Sequence, residues 1–98
     1  RPLMGMSGFD LSPATANELG LKLTEGVIVT SLTPDGPSYK AGLQIGDVMI
    51  SIDNNPTPDV ATWLNILWSY RVGDKITVQY SRQNKILTAI VTLIERPQ

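Results

Sequence analysis

The chain has 98 residues, eight Lys or Arg against nine Asp or Glu, a formal net charge of -1, and neither Cys nor His. Its length suits one small domain, its 42% apolar and 17% charged composition suits a folded chain, and its charge balance offers nucleic acid nothing to hold. Without Cys there are no disulfides, thiolate nucleophiles or Cys-type metal sites, and without His no Ser-His-Asp triad, so neither a cofactor nor hydrolysis by this chain alone is expected.

Leu3 to Phe9 is a short extended candidate, with Gly5 and Gly8 marking places of close backbone approach. Ser12-Pro13 offers an N-cap followed by Pro at the first helical position, and a helix from there ends near Leu19, where Gly20 can turn left-handed. Gly26 to Leu32 is rich in β-branched residues and reads as a buried strand. Thr33-Pro34-Asp35-Gly36-Pro37 is a turn, and Ser38 to Leu43 fits one or two helical turns closed by Gly42. Asp47 to Asp53 alternates Val48, Ile50 and Ile52 against Met49 and Ser51, the pattern of a half-buried strand.

Thr57-Pro58 repeats the cap-then-Pro arrangement before the clearest helix, in which Val60, Trp63, Leu64 and Leu67 fall at i, i+3, i+4 and i+7. Ile76, Val78 and Tyr80 alternate with Thr77, Gln79 and Ser81; Gln83-Asn84 reverses the chain, and Lys85 to Ile94 returns as an antiparallel partner. The longest apolar-biased tract, Ile86 to Ile94, is broken by Thr88 and Thr92 and is too short to span a bilayer, so no membrane insertion is expected. About five strands and two helices with antiparallel signals predict a small α+β domain, a bent sheet or partial barrel with helices over its open ends. A chain that opens on Arg1-Pro2 reads as a single domain cut from a larger protein.

Gly26-Val27-Ile28-Val29, Gly36-Pro37 and the run Lys40-Ala41-Gly42-Leu43-Gln44-Ile45-Gly46-Asp47-Val48-Met49-Ile50 together resemble the core signature of bacterial PDZ domains. Val72-Gly73-Asp74-Lys75-Ile76 is similar to that family's helix exit and following strand, and Arg1 to Met6 resembles the start of the PDZ domains of HtrA/Deg-type serine proteases. Pro37-Ser38-Tyr39 and Ile45 depart from the usual residues, as does the hairpin Gln83-Asn84. The resemblance covers nearly the whole chain and implies the circularly permuted strand order of bacterial members. It implies a peptide-recognition module serving a serine endopeptidase whose catalytic residues lie elsewhere, with an extracytoplasmic location and a parent that can be homo-oligomeric. PDZ domains of membrane-embedded and tail-specific proteases share these features.

The resemblance also assigns the site. Around Gly5, which lacks a Cβ, successive N–H groups can converge on an anion, and a peptide's terminal carboxylate is the natural guest. Leu3, Met4, Gly5 and Met6 form that loop, and Arg1 is an auxiliary cation. Ser7, Gly8 and Phe9 continue as a strand with a free edge, on which an incoming peptide pairs antiparallel. Val60, Leu64 and Leu67 face the groove as an apolar pocket for the ligand's last side chain, while Trp63 and Ile66 turn toward the sheet. Val60 stands where many members carry a His that selects Ser or Thr two residues from the ligand's end, so the resemblance implies an apolar preference at that ligand position. Trp68 and Tyr70 are read as outer-face or loop-packing residues. In a second reading they and Tyr39 are contacts through which the domain holds an oligomer or gates access. Asp47 lacks the Asp-x-Asp run of a cation loop, and Ser38 and Lys40 lack a partner that would make them a catalytic pair.

Overall fold

The computed structural model describes residues 1–95. The backbone enters as β1 (Pro2–Leu3) and β2 (Met6–Asp10), turns through α1 (Pro13–Glu18) into β3 (Val27–Leu32), and passes α2 (Pro37–Lys40) to β4 (Val48–Ile52). A short β5 (Asn55–Pro56) leads into α3 (Val60–Leu67), and β6 (Lys75–Arg82), β7 (Lys85–Thr92) and β8 (Ile94–Glu95) finish the described chain. The main sheet runs β2-β3-β4-β6-β7, antiparallel throughout, with β5 on β4; β1 pairs β8 in a separate two-stranded ladder. The sheet is open, and β2 and β7 are its edges.

The helix starts have local causes. Ser12 Oγ accepts from the Thr15 N–H at 3.1 Å with Pro13 in the first turn, and Gly20 follows α1 at φ 68°. The cap of α3 is not Thr57 but Asp59, whose Oδ1 accepts from the Thr62 N–H at 2.7 Å. Thr57 is fully buried, and its N–H donates to Ile50 O beside β4. Pro37–Lys40 forms the single helical turn expected near Ser38 to Leu43, starting one residue earlier, and brings the helix count to three.

Two expected strands are divided. Leu3 to Phe9 breaks at Met4-Gly5, and Lys85 to Ile94 breaks at Leu93, whose N–H donates to Asp74 O. The expected alternation of β4 does not hold: Val48, Met49, Ser51 and Ile52 are all buried. The strand is central, with Met49 and Ile52 in the main core and Val48 in a second cluster under α1 with Leu11 and Ala16. A register shift between Met49 and Ser51 also resets the pleat.

The main core joins Met4, Val27, Met49, Ile52, Trp63, Leu67, Ile76, Val78, Val91 and Leu93, so α3 is held on the sheet by Trp63 and Leu67. Each such aliphatic burial contributes about 1.5–3 kcal/mol before entropy is counted. On the far side, Arg82 Nε and Nη2 fork onto Asp47 at 2.9 Å each, Asp47 Oδ2 accepts from the Gln44 N–H, and Arg82 Nη2 reaches Gly42 O. This ties the loop before β4 to β6. No helix among the described residues is long and apolar enough to cross a membrane.

Candidate peptide-binding cleft

The edge strand β2 sets the geometry. Thr33 N–H donates to Gly5 O at 2.9 Å, and Leu11 N–H donates to Gly26 O at 2.9 Å, so odd-numbered residues along this stretch turn their backbone polar groups toward β3. The register passes from Ser7↔Ser31 to Gly8↔Val29, which places the extra residue, Thr30, on β3 and leaves β2 with an unbroken two-residue period. The N–H and C=O groups of Met6, Gly8 and Asp10 therefore face the open edge. Gly8 is small for a reason: a Cβ there would lie 2.5 Å from Val27 Cγ1 and 2.9 Å from Ile28 O.

Ahead of β2, Gly5 sits at φ 70°, and a Cβ on it would lie 2.8 Å from Pro37 Cδ. The carbonyls of this loop are committed inward, Met4 O to the Ser38 N–H and Gly5 O to Thr33. Its amides are not: among the described residues, the Met4 and Gly5 N–H groups donate to no backbone or side-chain acceptor. With the outward Met6 N–H, they form three successive donors without partners among the described residues. Such an arrangement suits an anion.

Between this loop, β2 and α3 lies a cleft of about 720 Å³. Leu3, Met4, Gly5, Met6 and Ser7 line one side, Leu64, Leu67, Trp63 and Trp68 the other, and Ser31 and Thr33 contribute from β3 and the turn after it. Arg1 is the charged residue of this lining, with its guanidinium carbon 4.2 Å from the centre of the Trp68 ring. Met4 is 2% exposed and accepts a hydrogen bond from Trp63 Nε1 at its sulfur, 3.3 Å away, so it acts as floor more than wall.

The cleft thus brings together Arg1, Leu3, Met4, Gly5, Met6, Ser7, Leu64 and Leu67 of the residues singled out from sequence. Val60, Gly8 and Phe9 are not part of its lining. Val60 opens α3 and donates its N–H to Asp10 Oδ1 at 2.7 Å, which ties the far end of β2 to the helix. Phe9 projects into solvent. Trp63 does turn inward, yet it also lines the cleft, and Trp68 lies on the cleft rather than on the outer face. A helical signal for Trp68 was present: it stands four residues beyond Leu64, on the same face. Ser31 and Thr33 carry no such signal, because their place follows from strand pairing.

At the exit of α3, Tyr70 Oη donates to Asp53 Oδ2 at 2.7 Å, and Asp53 Oδ1 accepts from the Thr77 N–H. Burial, followed by the hydrogen bond to the Asp53 carboxylate, pushes the Tyr70 phenol up to about 12. Among the described residues, no group of three or more Asp or Glu gathers as a metal-ion cradle.

Residues 2–93 match the PDZ domain family. The chain belongs to that family. It is 34% identical over 97 residues to the serine endoprotease DegS of Escherichia coli strain K12, an alignment covering 99% of this chain and 27% of the protease. The solved HtrA-type protease AlgW with a decapeptide superposes with a TM-score of 0.90 at 31% identity, over all of this chain and 30% of that one. The HtrA3 PDZ domain bound to a phage-derived ligand shares the fold, with a TM-score of 0.82 at 18% identity, covering 95% of this chain and 85% of that one. This PDZ chain therefore spans less than a third of the two proteases' own length. Its α+β fold and its likeness to the PDZ domains of HtrA-type proteases are as the sequence motifs implied.

Proposed function

We propose that this PDZ domain captures the carboxyl ends of peptides and unfolded chains and serves an HtrA-type serine endopeptidase of the cell envelope, whose protease domain is its partner in the same polypeptide. The observation that carries this reading is the row of Met4, Gly5 and Met6 amides, without acceptors among the described residues, at the mouth of an apolar cleft beside a free strand edge. A terminal carboxylate accepts from these donors, with Arg1 adding charge attraction from its stack on Trp68. The peptide backbone pairs antiparallel along Met6, Gly8 and Asp10, which gives affinity largely independent of sequence. An apolar last side chain enters between Met6, Leu64 and Leu67 over the Trp63 floor. Met6 gives this wall a flexible thioether, so Val, Leu, Ile, Phe and Ala are all acceptable ends. AlgW, at 31% identity, was solved with a decapeptide, which supports the same class of ligand here.

Calorimetry with eight-residue peptides tests the reading. Free-acid peptides ending in an apolar residue bind near the micromolar scale, about -8 kcal/mol. The matching carboxamides bind at least tenfold more weakly, and equal affinity for the two forms removes carboxylate capture.

A further inference from the structure

We infer that Phe9 selects the fourth residue from the carboxyl end of the ligand, favouring an aromatic or β-branched side chain there. This rests on the proposed capture of peptides along β2 and adds to it a sequence preference outside the cleft.

The register follows from the backbone. The Met4 and Gly5 amides lie just before β2, so a carboxylate held there sets the ligand's last residue opposite Met6. Counting back along an antiparallel partner places the next residue opposite Ser7, the third opposite Gly8 and the fourth opposite Phe9. No correction is needed along the way, because the irregular residue of this ladder lies on β3. Met6, Gly8 and Asp10 exchange hydrogen bonds with the ligand, so Phe9 falls in a non-hydrogen-bonded pair, where opposed Cα atoms approach to about 4.5 Å and side chains are closest.

The side chain is placed to use that approach. Phe9 is 69% exposed, more than any other large apolar side chain described. It points to the face opposite Met6, away from the cleft, and pairs across β3 with Ile28, which in turn pairs with Val48. Ile28 is half-buried against the cluster of Leu11, Ala16 and Val48. A ligand residue opposite Phe9 extends this row of apolar pairs by one strand and covers one flank of the exposed ring. Aromatic–aromatic and aromatic–β-branched cross-strand pairs are the favourable kind. Phe9 belongs to neither core cluster, whereas an edge strand ordinarily favours polar residues.

The test uses eight-residue free-acid peptides that share an apolar last residue and differ only at the fourth position from the end, carrying Phe, Val, Gly or Asp. With the unaltered domain, Phe and Val bind roughly two- to five-fold more tightly than Gly. In Phe9→Ala, whose fold is checked by its melting curve, the ratio of Phe- and Val-peptide affinity to Gly-peptide affinity falls to about one. Phe9→Tyr restores the preference. A preference that persists in Phe9→Ala, or is absent from the unaltered domain, overturns the inference alone. Loss of binding for every peptide, or equal binding of carboxamides, overturns the proposed capture and this inference with it.

Discussion

The indole N–H of Trp63 donates to the sulfur of Met4 across 3.3 Å in the floor of the cleft, so a residue of the carboxylate loop is hydrogen-bonded to the helix that forms the opposite wall. Both side chains are buried, at 2% and 5% exposure. Met4→Leu keeps the volume but removes the acceptor, and is expected to cost about 1–3 kcal/mol. Met4→Ala also opens a void, raising the cost to about 2–5 kcal/mol. Urea unfolding with an unchanged slope checks both.

Gly5 and Gly20 separate two effects of left-handed backbone. Each has φ near 70°, but a Cβ on Gly5 meets Pro37 Cδ at 2.8 Å, while a Cβ on Gly20 meets nothing within 4 Å. Gly20→Ala should cost about 1–2 kcal/mol and leave peptide binding unchanged. Gly5→Ala should cost more and, by displacing the Met4 and Gly5 amides, weaken free-acid peptides at least tenfold. Carboxamide peptides should lose little. Calorimetry with both peptide forms on both variants makes the comparison.

Much of this architecture was legible from residue pattern, because local chemistry decided it. Ser12-Pro13 capped a helix where expected, Gln83-Asn84 reversed the chain at positive φ, and the 3.6-residue spacing of α3 identified the helix that lies along the cleft. What escaped was set by the third dimension. Asp59 took the cap from Thr57 because Thr57 is buried with its N–H donating to Ile50 O of β4, and Pro58 O accepts from the Gly26 N–H, so the helix starts only after them. Alternation failed in β4 because the α1 cluster covers Val48 on one face, the main core covers Met49 and Ile52, and a register shift between Met49 and Ser51 resets the pleat. At the site, the loop and the Leu64 and Leu67 stripe were visible as motifs, but the placement of Trp68 under Arg1 depends on the chain's first residue returning to the end of α3.

Asp47 is expected to matter for stability and not for ligand capture. Its carboxylate is 2% exposed and holds both the Arg82 fork and the Gln44 N–H, whereas neither Asp47 nor Arg82 lines the cleft. Asp47→Ala leaves these donors without their acceptor and should cost about 2–4 kcal/mol. Arg82→Lys gives up the two-pronged geometry and should cost less. Peptide affinities of both variants, measured well below their melting temperatures, should match the unaltered domain. A tenfold loss in either would place the 42–47 loop in the binding machinery.

The Tyr70–Asp53 bond gives the domain a defined alkaline limb. An unfolded tyrosine loses its proton near 10, whereas burial and the adjacent carboxylate hold the folded phenol to about 12. Below about pH 10 both states keep the proton, and the stabilisation is fully present. Between about 10 and 12 the unfolded state releases it first, so stability falls as pH rises through that window. At the other end of α3, backbone and then side-chain hydrogen bonds from Thr62 lower the pKa of Asp59, so its contribution is present above the ordinary carboxylate value and is lost as pH falls below it. Tyr70→Phe should therefore reduce stability at neutral pH and flatten the slope between pH 10 and 12 without altering the acid side. Asp59→Ala should flatten the acid side alone. Urea midpoints recorded from pH 2 to 12 for the three proteins test this. An unchanged alkaline slope in Tyr70→Phe would show that the phenol does not carry it.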